Sequence, residues 1–179
     1  YVTVTNTGST PAYVRTILAL EMGGYKTVDE FYYNVVGVAT NAANGAEFKF
    51  EGAWNWSDKF VAEIDGNNYL ILVATHEDPV MPGEETIPSL LQVYMNKEAD
   101  NAEVIKVDGN GNGMYDILAF SQAVQSTGFE SAEVALNEAF GKISAADLTT
   151  LPWNASDYNL PVIVNTPAEF TEALTAGFK

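Results

Sequence analysis

The stretch FVAEIDGNNYLILVAT, residues 60–75, is the clearest β-hairpin in the sequence. Two apolar runs flank Asp65-Gly66-Asn67-Asn68, and residues of these types tolerate the positive φ angles that tight hairpin turns require. The stretch therefore predicts two antiparallel strands at the centre of a β-rich chain.

The segments around this hairpin extend the β pattern. AYVRTILALE, residues 12–21, predicts a strand whose mostly apolar face, with Leu18 and Leu20, points inward, while Arg15 lies on the opposite face. Residues 27–38 fit either a short helix or a strand. Further strands are predicted at residues 1–6, 46–56, 89–96 and 103–109.

A helical insertion is predicted after the glycine-rich stretch 109–113. Asp116 can cap a helix that ends at Gly128, and residues 130–141 predict a second helix that ends at Gly141. Ser144 and Asp147 have capping-box spacing for a third turn. The fold class expected is mainly β, with a short helical insertion at about residues 116–148.

Both ends of the chain suggest a larger protein. The opening YVTVTNTG begins as if within a strand, so we expect a preceding N-terminal strand. Residues 161–179 predict a short strand and a capped helix. This segment is either a linker or the start of a following module, or it packs back on the domain formed by residues 1–160.

Composition excludes several classes of function. The 179 residues include 24 acidic and 8 basic side chains, for a net charge of −16, which repels nucleic acid and anionic membranes. The absence of cysteine excludes disulfides, thiolate nucleophiles and cysteine-ligated zinc. No apolar run reaches the length of about 18 residues that a membrane span needs, so we expect none in this chain.

The stretch DGNGNGMYD, residues 108–116, is typical of a calcium loop. Asp108, Asn110 and Asn112 fall at positions 1, 3 and 5, and Asp116 falls at position 9. Position 12, which normally supplies a bidentate carboxylate, is Ala119. The pattern predicts either a weak calcium site or a glycine-rich turn.

Two tryptophans offer a second candidate site. Trp54 and Trp56 are two residues apart on a predicted strand and share a face, which suits stacking on sugars as well as core packing. The single histidine, His76, has no second histidine four residues later, so the zinc-protease helix motif is absent. We expect no catalytic residues and no enzymatic activity.

Three blocks, taken in order, resemble a known family. They are similar to blocks of TasA/camelysin-like proteins, which bacteria export: VTVTNTGSTPAYVRTIL (residues 2–18) to the first block, MPGEETIPSLLQVYMN (81–96) to a turn and the strand that follows it, and DILAFSQAVQSTGFESAEVALNEAFG (116–141) to the helical block. The resemblance implies a jelly-roll-like β-sandwich and an extracellular or cell-surface location. Some members form biofilm fibres by passing an N-terminal strand to the next subunit. Residues 162–174, VIVNTPAEFTEAL, resemble the opening of parallel β-helix regions in surface proteins.

The expected function is therefore that of a non-catalytic surface or matrix protein. Such a protein would self-associate by strand addition or act as the N-terminal module of a larger surface protein. A carbohydrate-binding or adhesin module, with Trp54 and Trp56 against a surface polysaccharide, is the alternative. A second alternative is an accessory domain of a polysaccharide-degrading enzyme. Calcium is the sole cofactor that the sequence suggests.

Overall fold

A computed structural model describes residues 2–33, 36–39, 53–57, 59–90, 92–95, 99–148 and 153. These residues form a mainly β, antiparallel structure with three short α-helices and one π-helical turn, Asp29–Tyr33. The strands are β1 (Ala12–Glu21), β2 (Val36–Ala39), β3 (Trp54–Trp56), β4 (Phe60–Ile64), β5 (Asn67–His76), β6 (Gln92–Met95) and β7 (Ile117–Gln125). The helices are α1 (Asn101–Val107), α2 (Ala132–Phe140) and α3 (Ala145–Leu148).

The main sheet is open and has the order β3-β5-β1-β7. Strand β4 also pairs with β5, next to β3 along the same side of that strand. The predicted hairpin is confirmed as β4 and β5, which pair from Phe60 with Ile71 to Ile64 with Asn67. Asp65 and Gly66 form its turn with φ angles of 51° and 83°, the conformation that a two-residue hairpin requires. Strands β2 and β6 form a separate pair.

Strand β1 is buried on both of its faces. Leu18 and Leu20 pack in a cluster with Phe31, and Ile17 and Ala19 pack on the other side with α3. The sequence predicted a single inward face for this strand, but the structure buries the opposite face as well. The second face is also interior because α2 packs on β1 and β7 while α3 packs on β4.

Arg15 is the buried cation of this second face, with 3% of its surface exposed. Its Nε donates to Gln122 Oε1 on β7 at 2.6 Å, and its Nη1 donates to Asn137 Oδ1 on α2 at 3.0 Å. Its Nη2 donates to the carbonyl of Gly141 at 2.8 Å, at a helix end where partial negative charge favours a cation. One side chain thus joins β1, β7 and α2.

Residues Ile117–Gln125 are a strand, so the helix predicted from Asp116 to Gly128 is wrong. All nine residues pair with β1 in an unbroken register, from Ile117 with Leu20 to Gln125 with Ala12. Alanine and leucine favour a helix locally, but pairing with a buried central strand outweighs that preference. The helical part of the predicted insertion is reduced to α2 and α3, which lie within residues 132–148.

A strand predicted at residues 103–109 is also wrong, because α1 spans most of it. Asp100 accepts hydrogen bonds from the amides of Ala102 and Glu103, and the Glu103 side chain accepts one from the Asp100 amide. This capping box satisfies the first free amides of the helix and fixes its start. The helix leaves Val104 and Ile105 exposed.

The N-terminal segment lies beside residues 83–90 instead of forming a regular strand. The Val2 amide donates to the Leu90 carbonyl at 2.7 Å, and the Thr86 amide donates to the Val4 carbonyl at 2.9 Å. Residues from Val2 to Asn6 are therefore already paired within their own chain. The strand predicted over residues 46–52 and the module at 161–179 lie outside the described residues.

Replacement of Arg15 by methionine should destabilise the domain. The change leaves Gln122, Asn137 and Gly141 without their charged donor, and we expect a loss of about 2–4 kcal/mol in the free energy of unfolding. Urea denaturation followed by circular dichroism measures it. Lys142→Met is the control, because Lys142 is exposed and its change should stay within about 0.5 kcal/mol. Equal effects of the two substitutions would contradict the role given to Arg15.

Candidate functional site

Glu21, the last residue of β1, anchors the loop that joins α1 to β7. Its carboxylate is fully buried and accepts the Gly109 amide at Oε1 (2.8 Å) and the Asp116 amide at Oε2 (3.0 Å). Burial of a carboxylate is unfavourable unless hydrogen bonds replace its water, and these two bonds do so. The two ends of the loop are thereby fixed against the end of β1.

Asp108 folds the loop from within. Its Oδ1 accepts the amide of Asn112 at 3.0 Å and its Oδ2 accepts the amide of Gly113 at 2.8 Å. Gly113 has a φ angle of 78°, which side chains with a Cβ rarely adopt. The aspartate at the first position of the predicted calcium pattern therefore organises the following turn.

The other three predicted calcium residues meet at Asp116. Its Oδ2 accepts the side-chain amide of Asn110 at 2.7 Å and that of Asn112 at 3.2 Å. The amide oxygens of the two asparagines accept backbone amides, from Asn112 at 2.9 Å and Met114 at 2.7 Å. The structure thus brings together the side chains that the sequence pattern selected.

The donor set matches calcium in its chemistry but not in its present orientation. Carboxylate and amide oxygens are calcium ligands, yet Asn110 and Asn112 direct their nitrogen atoms toward Asp116. Ala119, at position 12, lies on β7 and provides no carboxylate. Among the described residues, no group of three or more His, Cys, Asp and Glu side chains is placed to hold a metal. Calcium binding would require both amides to turn, and it stays a prediction.

Glu21 and Tyr115 also belong to this site, although the calcium pattern does not include them. Glu21 ends an apolar strand 88 residues before its partner Gly109, so no local spacing connects the two. Tyr115 packs against the core cluster of Leu18 and Leu20, and its hydroxyl is buried with no hydrogen-bond partner among the described residues. Burial, with a smaller contribution from Glu21, raises the pKa of Tyr115 above its ordinary value.

Trp54 lies in the interior, and Trp56 lies at its margin. Trp54 is 7% exposed, its Nε1 donates to the Ile87 carbonyl at 3.1 Å, and its ring meets His76 edge-on with centroids 4.9 Å apart. Trp56 is half-buried and packs against the same core. The pair shares a face, as predicted, but this face is turned inward. Sugar stacking by these two rings stays a prediction.

Among the described residues, strand β7 forms one edge of the main sheet and presents every second amide and carbonyl outward. The Glu21 amide donates to the Asp116 carbonyl, and the Ser126 amide donates to the Pro11 carbonyl. Hydrogen-bonded pairs alternate along an antiparallel ladder, so the even-numbered residues of β7 point their amides and carbonyls toward β1. The outward groups belong to Ile117, Ala119, Ser121, Ala123 and Gln125, whose side chains are also exposed.

Strand β7 lacks the features that usually protect an edge strand from pairing with another chain. Strand β7 has no charged residue, proline or glycine and no break in its register, whereas natural sheet edges are usually short, bulged or charged. The opposite edge has such protection: the register on β5 shifts by one residue between β3 and β4. Glu63 is exposed there, and α3 packs against β4.

No family model matches the chain, and no curated protein or solved structure matches it. Within the part of the chain that the structure describes, no helix is long and apolar enough to cross a membrane.

The Glu21 carboxylate should be required for a stable loop. Glu21→Ala removes both acceptors of the loop amides, and we expect a loss of about 2–4 kcal/mol in the free energy of unfolding. Glu63→Ala, at an exposed position of β4, should change it by about 0.5 kcal/mol or less. Chemical denaturation compares the two variants, and equal stability would refute the anchoring role.

The calcium hypothesis predicts a melting temperature that rises with added calcium. An ion that binds only the native state stabilises it by about 2.7 kcal/mol at a hundred times its Kd. The rise should disappear in Asp108→Ala and persist in Asp78→Ala, which changes an exposed aspartate elsewhere. Differential scanning calorimetry with calcium and with magnesium tests this. A melting temperature that calcium does not change would leave the loop as a turn.

Proposed function

We propose that this chain is a non-catalytic structural domain of a bacterial surface or extracellular matrix, which assembles by accepting a strand at the open edge of β7. The observation that carries this proposal is the nine-residue, uncharged, regular edge of β7. An edge of this kind is a template for pairing with another chain. An exposed edge strand without protective features is what assembly by strand addition needs.

The charge distribution supports the same proposal. The chain carries a net charge of −16, which keeps a protein soluble and discourages unspecific association. Against that background, residues 117–125 carry no charge at all. The acidic surface therefore opposes association, whereas the uncharged strand β7 does not.

The family resemblance supports the cellular setting. TasA/camelysin-like proteins are exported, and some of them assemble by strand addition, as the blocks at residues 2–18, 81–96 and 116–141 suggest for this chain. Membership would place the open antiparallel sheet within a jelly-roll-like sandwich formed by residues 1–160. It would also give the chain an extracellular or cell-surface location.

The assembly proposal predicts that changes confined to the β7 edge abolish association. Ala119→Lys places a charge on the edge strand, and Ser121→Pro removes an outward amide that β1 does not use. We expect both variants to remain folded and to sediment as monomers, whereas the unaltered chain forms larger species. Analytical ultracentrifugation over a concentration series, with circular dichroism of each variant, measures this.

Ile105→Lys is the matched control. Ile105 lies on α1 with 74% of its surface exposed, so the same added charge away from β7 should leave assembly unchanged. An unaltered chain that stays monomeric at high concentration would refute the proposal. Assembly that survives both edge substitutions would do so as well.

A further inference from the structure

We infer that the strand accepted by β7 is β7 of a second copy of this chain, paired antiparallel about a two-fold axis at Ser121. This inference rests on the proposed function and names its partner. It predicts a continuous sheet across two copies, in which Ser121 faces Ser121 of the partner subunit. In the same register Ala119 faces the partner's Ala123, and Ile117 faces the partner's Gln125.

The backbone geometry supports this register. The outward amides and carbonyls belong to the odd-numbered residues 117–125, and Ser121 is the central one. A two-fold axis at Ser121 therefore pairs every outward residue of one copy with an outward residue of the other. Each such pair can exchange two hydrogen bonds. A register shifted by one residue would place outward groups opposite groups already bonded to β1.

The side chains are compatible on both faces of such a sheet. On the exposed face, serine meets serine and alanine meets alanine at the three central pairs, so the strands meet no bulky group there. The larger Ile117 and Gln125 meet only at the two ends. On the face turned toward α2, Phe120 would lie beside the partner's Gln122, and Leu118 beside the partner's Val124. The second of these pairs is apolar, and apolar cross-strand pairs stabilise antiparallel strands.

Charge favours the antiparallel arrangement over the parallel one. Asp116 is the acid next to β7, and the antiparallel register places it opposite the partner's Ser126. A parallel register would instead place the two Asp116 carboxylates side by side, where like charges repel. Because both copies carry −16, added salt should strengthen the dimer by screening their repulsion. A basic partner would show the opposite salt dependence.

Single-cysteine crosslinking tests the register directly, because the chain contains no cysteine. In a hydrogen-bonded antiparallel pair the Cα atoms are about 5.5 Å apart, within the range that a disulfide can bridge. Ser121→Cys is a small change, since the Ser121 hydroxyl makes only a long contact of 3.5 Å with Thr16 Oγ1. We expect this variant to form a disulfide-linked dimer on mild oxidation.

The neighbouring positions serve as register controls. Ala119→Cys alone should not crosslink efficiently, because two copies of residue 119 would lie about 13 Å apart, four residues along the strand. An equimolar mixture of Ala119→Cys and Ala123→Cys should crosslink as a heterodimer. Ile105→Cys reports random collision, and Ser121→Cys should react about ten-fold faster or more.

The outcomes separate this inference from the proposed function. If Ser121→Cys reacts no faster than Ile105→Cys while Ala119→Lys still abolishes assembly, the edge accepts a different strand and only the two-fold register is refuted. If the unaltered chain is monomeric and Ser121→Cys does not crosslink, both proposals are refuted. A dimer that weakens as salt is added would also contradict pairing between two acidic copies.

Discussion

Two charged side chains buried on β1, Glu21 and Arg15, fix the position of β7, and the rest of this structure depends on that position. Glu21 binds the amides at both ends of the loop before β7. Arg15 binds Gln122 within β7 and the end of α2 that packs on it. Neither charge is neutralised by an opposite charge among its named partners, so each is stabilised by hydrogen bonds to polar groups.

This arrangement has a consequence for the sheet. The backbone of strand β1 is hydrogen-bonded to β5 on one side and to β7 on the other, and its side chains are buried on both faces. Within the described residues, the backbone of strand β7 is hydrogen-bonded on one side only, to β1. The same interactions that hold β7 in a fixed, unbroken register therefore present its outer backbone groups as a regular ladder. The position of the β7 edge therefore depends on the loop at residues 108–116, whose two ends Glu21 holds.

Local signals in the sequence predicted those parts of the fold that local chemistry determines. The turn at Asp65 and Gly66 identified the hairpin, and Gly141 identified the end of α2. Strand β7 was missed because Ala119 and Ala123 favour a helix in isolation, and only the distant partner β1 decides otherwise. Helix α1 was missed because its apolar residues suggest a strand, whereas the capping box at Asp100 fixes a helix.

In the candidate sites, too, some features follow from local sequence and others from pairing between distant segments. Asp108, Asn110, Asn112 and Asp116 lie close in sequence, so their spacing was sufficient to bring them together. Glu21 acts on the same loop from another strand, and the outward orientation of alternate β7 residues depends on the register with β1. Neither property is encoded in a short motif, because both arise from pairing between segments far apart in the chain.

Residue-resolved amide hydrogen exchange, measured by NMR over a range of protein concentrations, tests the central claim most directly. The amides of Leu118, Phe120, Gln122 and Val124 face β1 and should be protected at every concentration. The amides of Ile117, Ala119, Ser121, Ala123 and Gln125 face outward and should become protected as the concentration rises. Rapid exchange of these five amides at every concentration would contradict the account, as would protection that is already complete in the monomer.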